Sequence, residues 1–70
     1  METYLEKLLS QIRCKKARPY IAEEIRDHIE CQIADNLSEG MTSEEAEKNA
    51  VADMGDPVEV GVEMDRIHRP

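Results

Sequence analysis

The chain has no Trp and no Phe, and Tyr4 and Tyr20 are its only aromatic residues. A core without large rings must come from Ile, Leu, Val, Met and Ala. Such a core holds helices together but leaves little room for a ligand pocket of about 300–1,000 Å³. Two cysteines, Cys14 and Cys31, permit one bridge and no disulfide framework. No run of about 20 apolar residues occurs, so nothing here reads as a membrane span. No signal peptide is read either: Met1-Glu2-Thr3 is acidic, and the apolar residues after it are periodic. The cytosol, with both thiols reduced, is the expected compartment.

Basic residues are also few, 9 against 16 acidic ones, for a net charge of −7. The imbalance is local. Residues 1–20 hold five basic and two acidic side chains, and residues 21–70 hold four and fourteen. An acidic body argues against general nucleic-acid binding, which draws its affinity from Lys and Arg meeting phosphates. The segment Arg13-Cys14-Lys15-Lys16-Ala17-Arg18 is the exception. Seventy residues make one domain, which buries only about 60% of its unfolded surface.

Glycine and proline occur three times each, and most of them punctuate. In Glu39-Gly40-Met41-Thr42-Ser43-Glu44-Glu45-Ala46, Gly40 suits the left-handed conformation that ends a helix, because it has no Cβ. Thr42 and Glu45 have the spacing of a capping box, and Met41 and Ala46 flank it where a hydrophobic staple sits. In Met54-Gly55-Asp56-Pro57, Gly55 repeats the stop and Asp56 the cap. Pro57 fits a first helical position, where no N–H is needed.

Apolar spacing fills in the helices. Tyr4, Leu5, Leu8, Leu9 and Ile12 predict a first helix near 2–13, with Thr3 and Glu6 offering an early cap. Lys15 to Arg18 form a turn, Arg18 is biased away from helical angles, and Pro19 opens helix two. Helix two runs near 19–39. Its stripe Ile21, Ile25, Ile29, Ile33, Leu37 drifts about 40° per step, roughly 160° in all, so it should be central and touch more than one partner. Helix three, near 43–54, turns Ala46, Ala50, Val51 and Met54 inward. Helix four, near 57–67, carries Val58 and Val62 beside Val60, Met64 and Ile67 on adjoining strips. The expected fold is all-α, a compact bundle of four short helices.

Three stretches with the glycine junctions, Glu23-Glu24-Ile25-Arg26-Asp27-His28-Ile29-Glu30, Ala50-Val51-Ala52-Asp53-Met54-Gly55-Asp56-Pro57 and Met64-Asp65-Arg66-Ile67-His68-Arg69-Pro70, resemble a known family. It is the permease prefix or HAAS-like signalling domain found mainly in Gram-positive bacteria, and the resemblance covers about residues 4–70. It implies a cytosolic module preceding the spans of a multi-pass membrane protein, of a permease type or of the FtsW/RodA/SpoVE cell-cycle kind. Related domains stand beside PadR-type regulators. It carries no catalytic set. Arg66, His68 and Arg69 suit the cytosolic side of a following span. Pro70 suits a boundary within a longer protein.

Candidate chemistry is sparse. His28 and Cys31 share a helix face, as do Asp27 and Cys31, and Cys14 and His68 would complete a Cys₂His₂ set. The tight ligand pairs of structural zinc sites are missing, so no metal and no cofactor are expected. Cys14 lies among basic residues that favour a thiolate, but no base and no Gly-rich oxyanion loop accompany it. Glu23/Asp27 and Glu59/Glu63 read as a solvated face rather than as acid–base pairs. The interaction candidates are Arg13, Lys15, Lys16 and Arg18; the structural caps are Gly40, Thr42, Glu45, Gly55, Asp56 and Pro57.

The expectation is a non-enzymatic interaction or regulatory module at the cytoplasmic side of the membrane. Its partner is the membrane portion of its own chain or another protein at the inner membrane face. Homo-oligomerisation is compatible with this reading. The alternatives are a sensor of anionic lipid working through the basic turn, and a small partner of a PadR-like regulator. Two substitutions test the junctions. Asp56→Ala should cost about 1 kcal/mol, and Gly40→Val should cost more than Gly40→Ala because branching is penalised at positive φ. Urea midpoints measure both.

Overall fold

The computed structural model describes residues 1–69. Pro70, read from the sequence as a boundary, lies outside the described residues. The described residues form four helices and no strand: α1 (Glu2–Leu9), α2 (Arg18–Ser38), α3 (Ser43–Met54) and α4 (Pro57–Ile67).

Both glycine junctions form as their residues dictate. Gly40 has φ 97°, its N–H donates to the Leu37 carbonyl at 3.0 Å, and the Met41 N–H reaches back to the Asn36 carbonyl at 3.2 Å. This pair of bonds is a Schellman ending, which satisfies carbonyls that the helix leaves open. Thr42 then caps α3. Its Oγ1 accepts from the Glu45 N–H at 3.2 Å, and Glu45 Oε1 accepts from the Thr42 N–H at 3.4 Å, completing the box. Gly55 sits at φ 96°, ψ −175°, a region essentially reserved for glycine. Asp56 Oδ2 accepts from the Glu59 N–H at 3.0 Å to start α4 on Pro57.

The first two helices begin and end differently from expectation. Thr3 is no cap: α1 starts at Glu2 with Met1 at the N-cap and no side-chain cap bond. Its α-helical part stops at Leu9 instead of near residue 13. Ser10 Oγ donates to the Lys7 carbonyl at 2.6 Å, and the Gln11 and Ile12 N–H groups bond to carbonyls three residues back. These tighter turns still deliver Ile12 to the core, where it is fully buried. In α2, Arg18 takes a helical position despite preceding Pro19, which falls in the first turn without opening it. A side-chain bond described below holds Arg18 there against the clash that a following proline imposes.

α2 is the spine. Its 21 residues span about 31 Å, most of the 42 Å long dimension of a molecule only 18 × 17 Å in section. α1 lies antiparallel on its first half: Arg18 meets Ile12 at one end and Arg26 meets Glu2 at the other. α3 turns back along its second half, where Asn36 meets Ala46. α4 packs mainly on α1 and runs parallel to it, with Gly61 against Leu8 and Gln11, and Asp65 against Arg13.

Tyr4, Leu5, Leu8, Ile12, Ile21, Ile25, Ile29 and Ala50 form one core cluster. Each fully buried Leu or Ile in it contributes roughly 1.5–3 kcal/mol. The Tyr4 hydroxyl is buried among them without a hydrogen-bond partner. Burial, and then the nearby Asp56 carboxylate, push its pKa above the usual phenol value of 10.0.

The stripe on α2 does not run the whole helix. Ile21, Ile25 and Ile29 are buried and Ile33 is half-buried, but Leu37 emerges into solvent. Its place is taken by Asn36, only about 20° around the helix from Ile29, where Leu37 is about 80° away. Asn36 is buried with its amide satisfied on both sides: Nδ2 donates to the Ala46 carbonyl at 3.0 Å, and Oδ1 accepts from Gln32 at 3.1 Å. The fully buried Ala46 lets the two backbones come close enough for that bond.

On α4 the valine strips separate. Val60 and Met64 pack against the core, while Val58, Val62 and Ile67 face solvent. Gly61 decides the rotation. It is the buried residue of α4, and a Cβ on it would overlap the Leu8 carbonyl oxygen and stand 2.9 Å from Gln11 Cβ. Gly61→Ala gains about 1 kcal/mol of helix propensity but forces α4 off α1. A net loss of about 1–2 kcal/mol is expected, within the usual range for overpacking, and thermal unfolding monitored by circular dichroism would register it.

Candidate functional site at the basic end of the bundle

Where α1 ends and α2 begins, the chain turns through Cys14–Ala17, closed by an Ala17 N–H to Cys14 carbonyl bond of 3.1 Å. The four basic residues singled out from the sequence all lie here, but they divide into two kinds.

Arg13 and Arg18 hold the turn together. The Arg13 N–H donates to Asp65 Oδ1 at 2.8 Å, and its Nε donates to Oδ2 at 2.9 Å, so one carboxylate grips backbone and side chain at once. Asp65 lies 52 residues away on α4 and is only 14% exposed. Arg18 Nε donates to the Ile12 carbonyl at 2.9 Å in a half-buried position. That bond satisfies a backbone acceptor left open where α1 unwinds. Lys15 and Lys16 are exposed, and among the described residues neither enters an ion pair or a side-chain hydrogen bond.

The Arg13–Asp65 contact draws in a second basic segment. It fixes the end of α4 beside the turn, so Arg66 and Arg69 join Lys15 and Lys16 at one end of the molecule. Arg66 has a loose, exposed pairing with Glu63 at 3.7 Å, of the kind that contributes little. Arg69 is exposed. Segments 13–18 and 63–69 together hold six basic and two acidic side chains, in a chain that is acidic elsewhere. Two of the most exposed large apolar side chains lie at the same end, Tyr20 at 75% and Ile67 at 69%.

The other candidates do not assemble. His28 and Cys31 are exposed on α2, and Cys14 is half-buried in the turn; both thiols are free. Among the described residues no three His, Cys, Asp or Glu side chains come together as a metal site. Glu23, Asp27, Glu59 and Glu63 lie on exposed faces. No described helix is long and apolar enough to cross a membrane.

A family model, HAAS, matches residues 3–61. The chain belongs to the HAAS family. The match takes in α1, α2, α3 and the first half of α4 up to Gly61, the residue that seats α4 on α1. This HAAS domain is thus a small, wholly helical module. Neither the comparison with curated proteins nor that with solved structures gave a match.

Sequence reasoning did not single out Asp65 as the partner that closes the basic end of the HAAS domain. A lone Asp in Met64-Asp65-Arg66 carries no local mark of a contact 52 residues away. Gly61 was within reach, since a glycine inside a helical pattern asks for a packing reason. Asn36 was too: the Ile29, Ile33, Asn36 series steps by four and then three, which keeps one face inward.

The bond from the Arg13 N–H, and then the Arg13 guanidinium, hold the Asp65 carboxyl below its ordinary value of 3.8. A depressed acid stabilises the fold in full above its unfolded-state pKa and loses that contribution as pH falls toward the folded value. Asp65→Asn should therefore lower the urea midpoint near pH 7, and the gap from wild type should narrow as the pH is taken below 3.8.

Proposed function

We propose that this HAAS domain is a non-catalytic interaction module carried at the cytosolic side of a membrane protein. It contacts the membrane portion of its own chain or another protein at the inner membrane face. The resemblance of its motifs to permease-prefix domains supports the setting. One surface observation supports the mode of contact. α4 presents Val58 and Val62, each 44% exposed, one turn apart on a strip that flanks the Gly61 face seated on α1. Valine favours helices less than the polar residues usual on a solvated face. Two such residues on one outer strip fit a helix that a partner covers, in the manner of helix-in-groove recognition.

The test is site-specific photo-cross-linking in the intact protein, with the cross-linker placed at Val58 or Val62 and, as control, at Asp27 on the acidic face of α2. An adduct from α4 to the downstream membrane segment or to another membrane protein, absent from Asp27, is the expected result. An adduct to a PadR-type regulator would replace this reading by the regulatory alternative. Equal labelling from all three positions, or none, would defeat it. Val58→Lys/Val62→Lys should abolish the adduct formed from a cross-linker at Glu59, and should change stability by no more than about 0.5 kcal/mol per site.

A further inference from the structure

The two ends of the molecule differ in charge, and neither the core nor the α4 strip uses that difference. Lys15, Lys16, Arg66 and Arg69 are exposed at one end, and Tyr20 and Ile67 are exposed in the adjoining turns of α2 and α4. Acidic residues dominate the other half, from Glu30 and Asp35 on α2 to Glu44, Glu45, Glu47 and Asp53 on α3. A soluble end has no need of an exposed Tyr and an exposed Ile beside lysines and arginines. An anionic bilayer surface does accommodate that mixture: lipid headgroups attract the cations, and the interface accepts amphipathic rings and aliphatic side chains. Tyr20 stands in the first turn of α2, where Cα–Cβ bonds tilt toward the helix start and hence toward this end.

We propose that the basic end seats the domain upright on an anionic phospholipid surface. Lys15, Lys16, Arg66 and Arg69 meet the headgroups, Tyr20 and Ile67 enter the interfacial layer, and the acidic half points away. The net charge of −7 does not forbid this. The molecule is 42 Å long, and at 0.1 M salt the Debye length is about 10 Å, so the far acidic half is screened from the surface while the near basic end is not. At 0.01 M salt the Debye length is about 30 Å, and the surface then repels the acidic half as well. Upright docking therefore has an unusual salt signature, with weak binding at very low salt, a maximum near 0.1 M and loss at 1 M. This inference is independent of the α4 strip and of any protein partner.

The experiment is co-sedimentation of the 70-residue chain with vesicles at millimolar lipid, either pure phosphatidylcholine or phosphatidylcholine with about one third phosphatidylglycerol, at the three salt concentrations. Binding only to the anionic vesicles, with the maximum near 0.1 M, is expected. Lys15→Gln/Lys16→Gln should lower the partition coefficient about 25-fold, from the usual contribution of a basic residue near a charged leaflet. Tyr20→Ser/Ile67→Ser should lower it several-fold, and Lys48→Gln on α3 should leave it unchanged. All these side chains are exposed, and circular dichroism melts would check that each variant is folded. Binding equal on both lipids, indifference to Lys15 and Lys16, or tighter binding to duplex DNA than to anionic vesicles would overturn the proposal. A steady fall in binding from the lowest salt upward would overturn the upright geometry.

Discussion

The whole arrangement depends on one mismatch of length: α2 has 21 residues, and no other helix is long enough to cover it. A helix with an apolar stripe about 31 Å long needs that stripe buried along its length. α1, with 8 residues, covers the first half, and α3, with 12, covers the second, so the two together match the spine almost residue for residue. Little of α2 is then left for α4, which seats itself on the outside of α1 instead. The elongated shape, the separation of a basic end from an acidic half and the exposed valines of α4 all follow from that tandem covering.

Close approach at two points makes the covering work, and each uses a small residue. Ala46 lets α3 come near enough to α2 for Asn36 to bond its carbonyl. Gly61 lets α4 lie directly on the α1 backbone at Leu8. In a core with no large rings, such contacts supply shape where bulk is missing. Buried Asn36 also adds direction, because its amide is satisfied in one register of α3 against α2, and an unsatisfied buried amide would cost about 1–3 kcal/mol.

The basic end shows the same economy in polar groups. Of four cations clustered in sequence, Arg13 and Arg18 close the junction that α1 leaves open when its helix unwinds after Leu9. Among the described residues Lys15 and Lys16 are the two of the four left without an ion pair or side-chain hydrogen bond, and Asp65 brings Arg66 and Arg69 to stand beside them. A cluster that reads along the chain as four equivalent charges is, in space, half fastener and half surface.

The chain by itself determined the class of structure, both junctions, the limits of α3 and the start of α4, because Gly40, Gly55, Thr42, Glu45, Asp56 and Pro57 act on backbone within three residues of themselves. Local steric and hydrogen-bonding rules suffice there. It also placed α2 at the centre through the breadth of its isoleucine stripe. Three outcomes were decided only by the tertiary structure: which strip of α4 faces inward, where the stripe of α2 gives way to Asn36, and which basic residues are bonded within the fold. Each turns on a partner 10 to 53 residues away, Ala46 for Asn36, Leu8 for Gly61 and Asp65 for Arg13. Periodicity reports how apolar a face is, but the approach of another backbone selects among neighbouring faces, and that approach has no signature in local spacing.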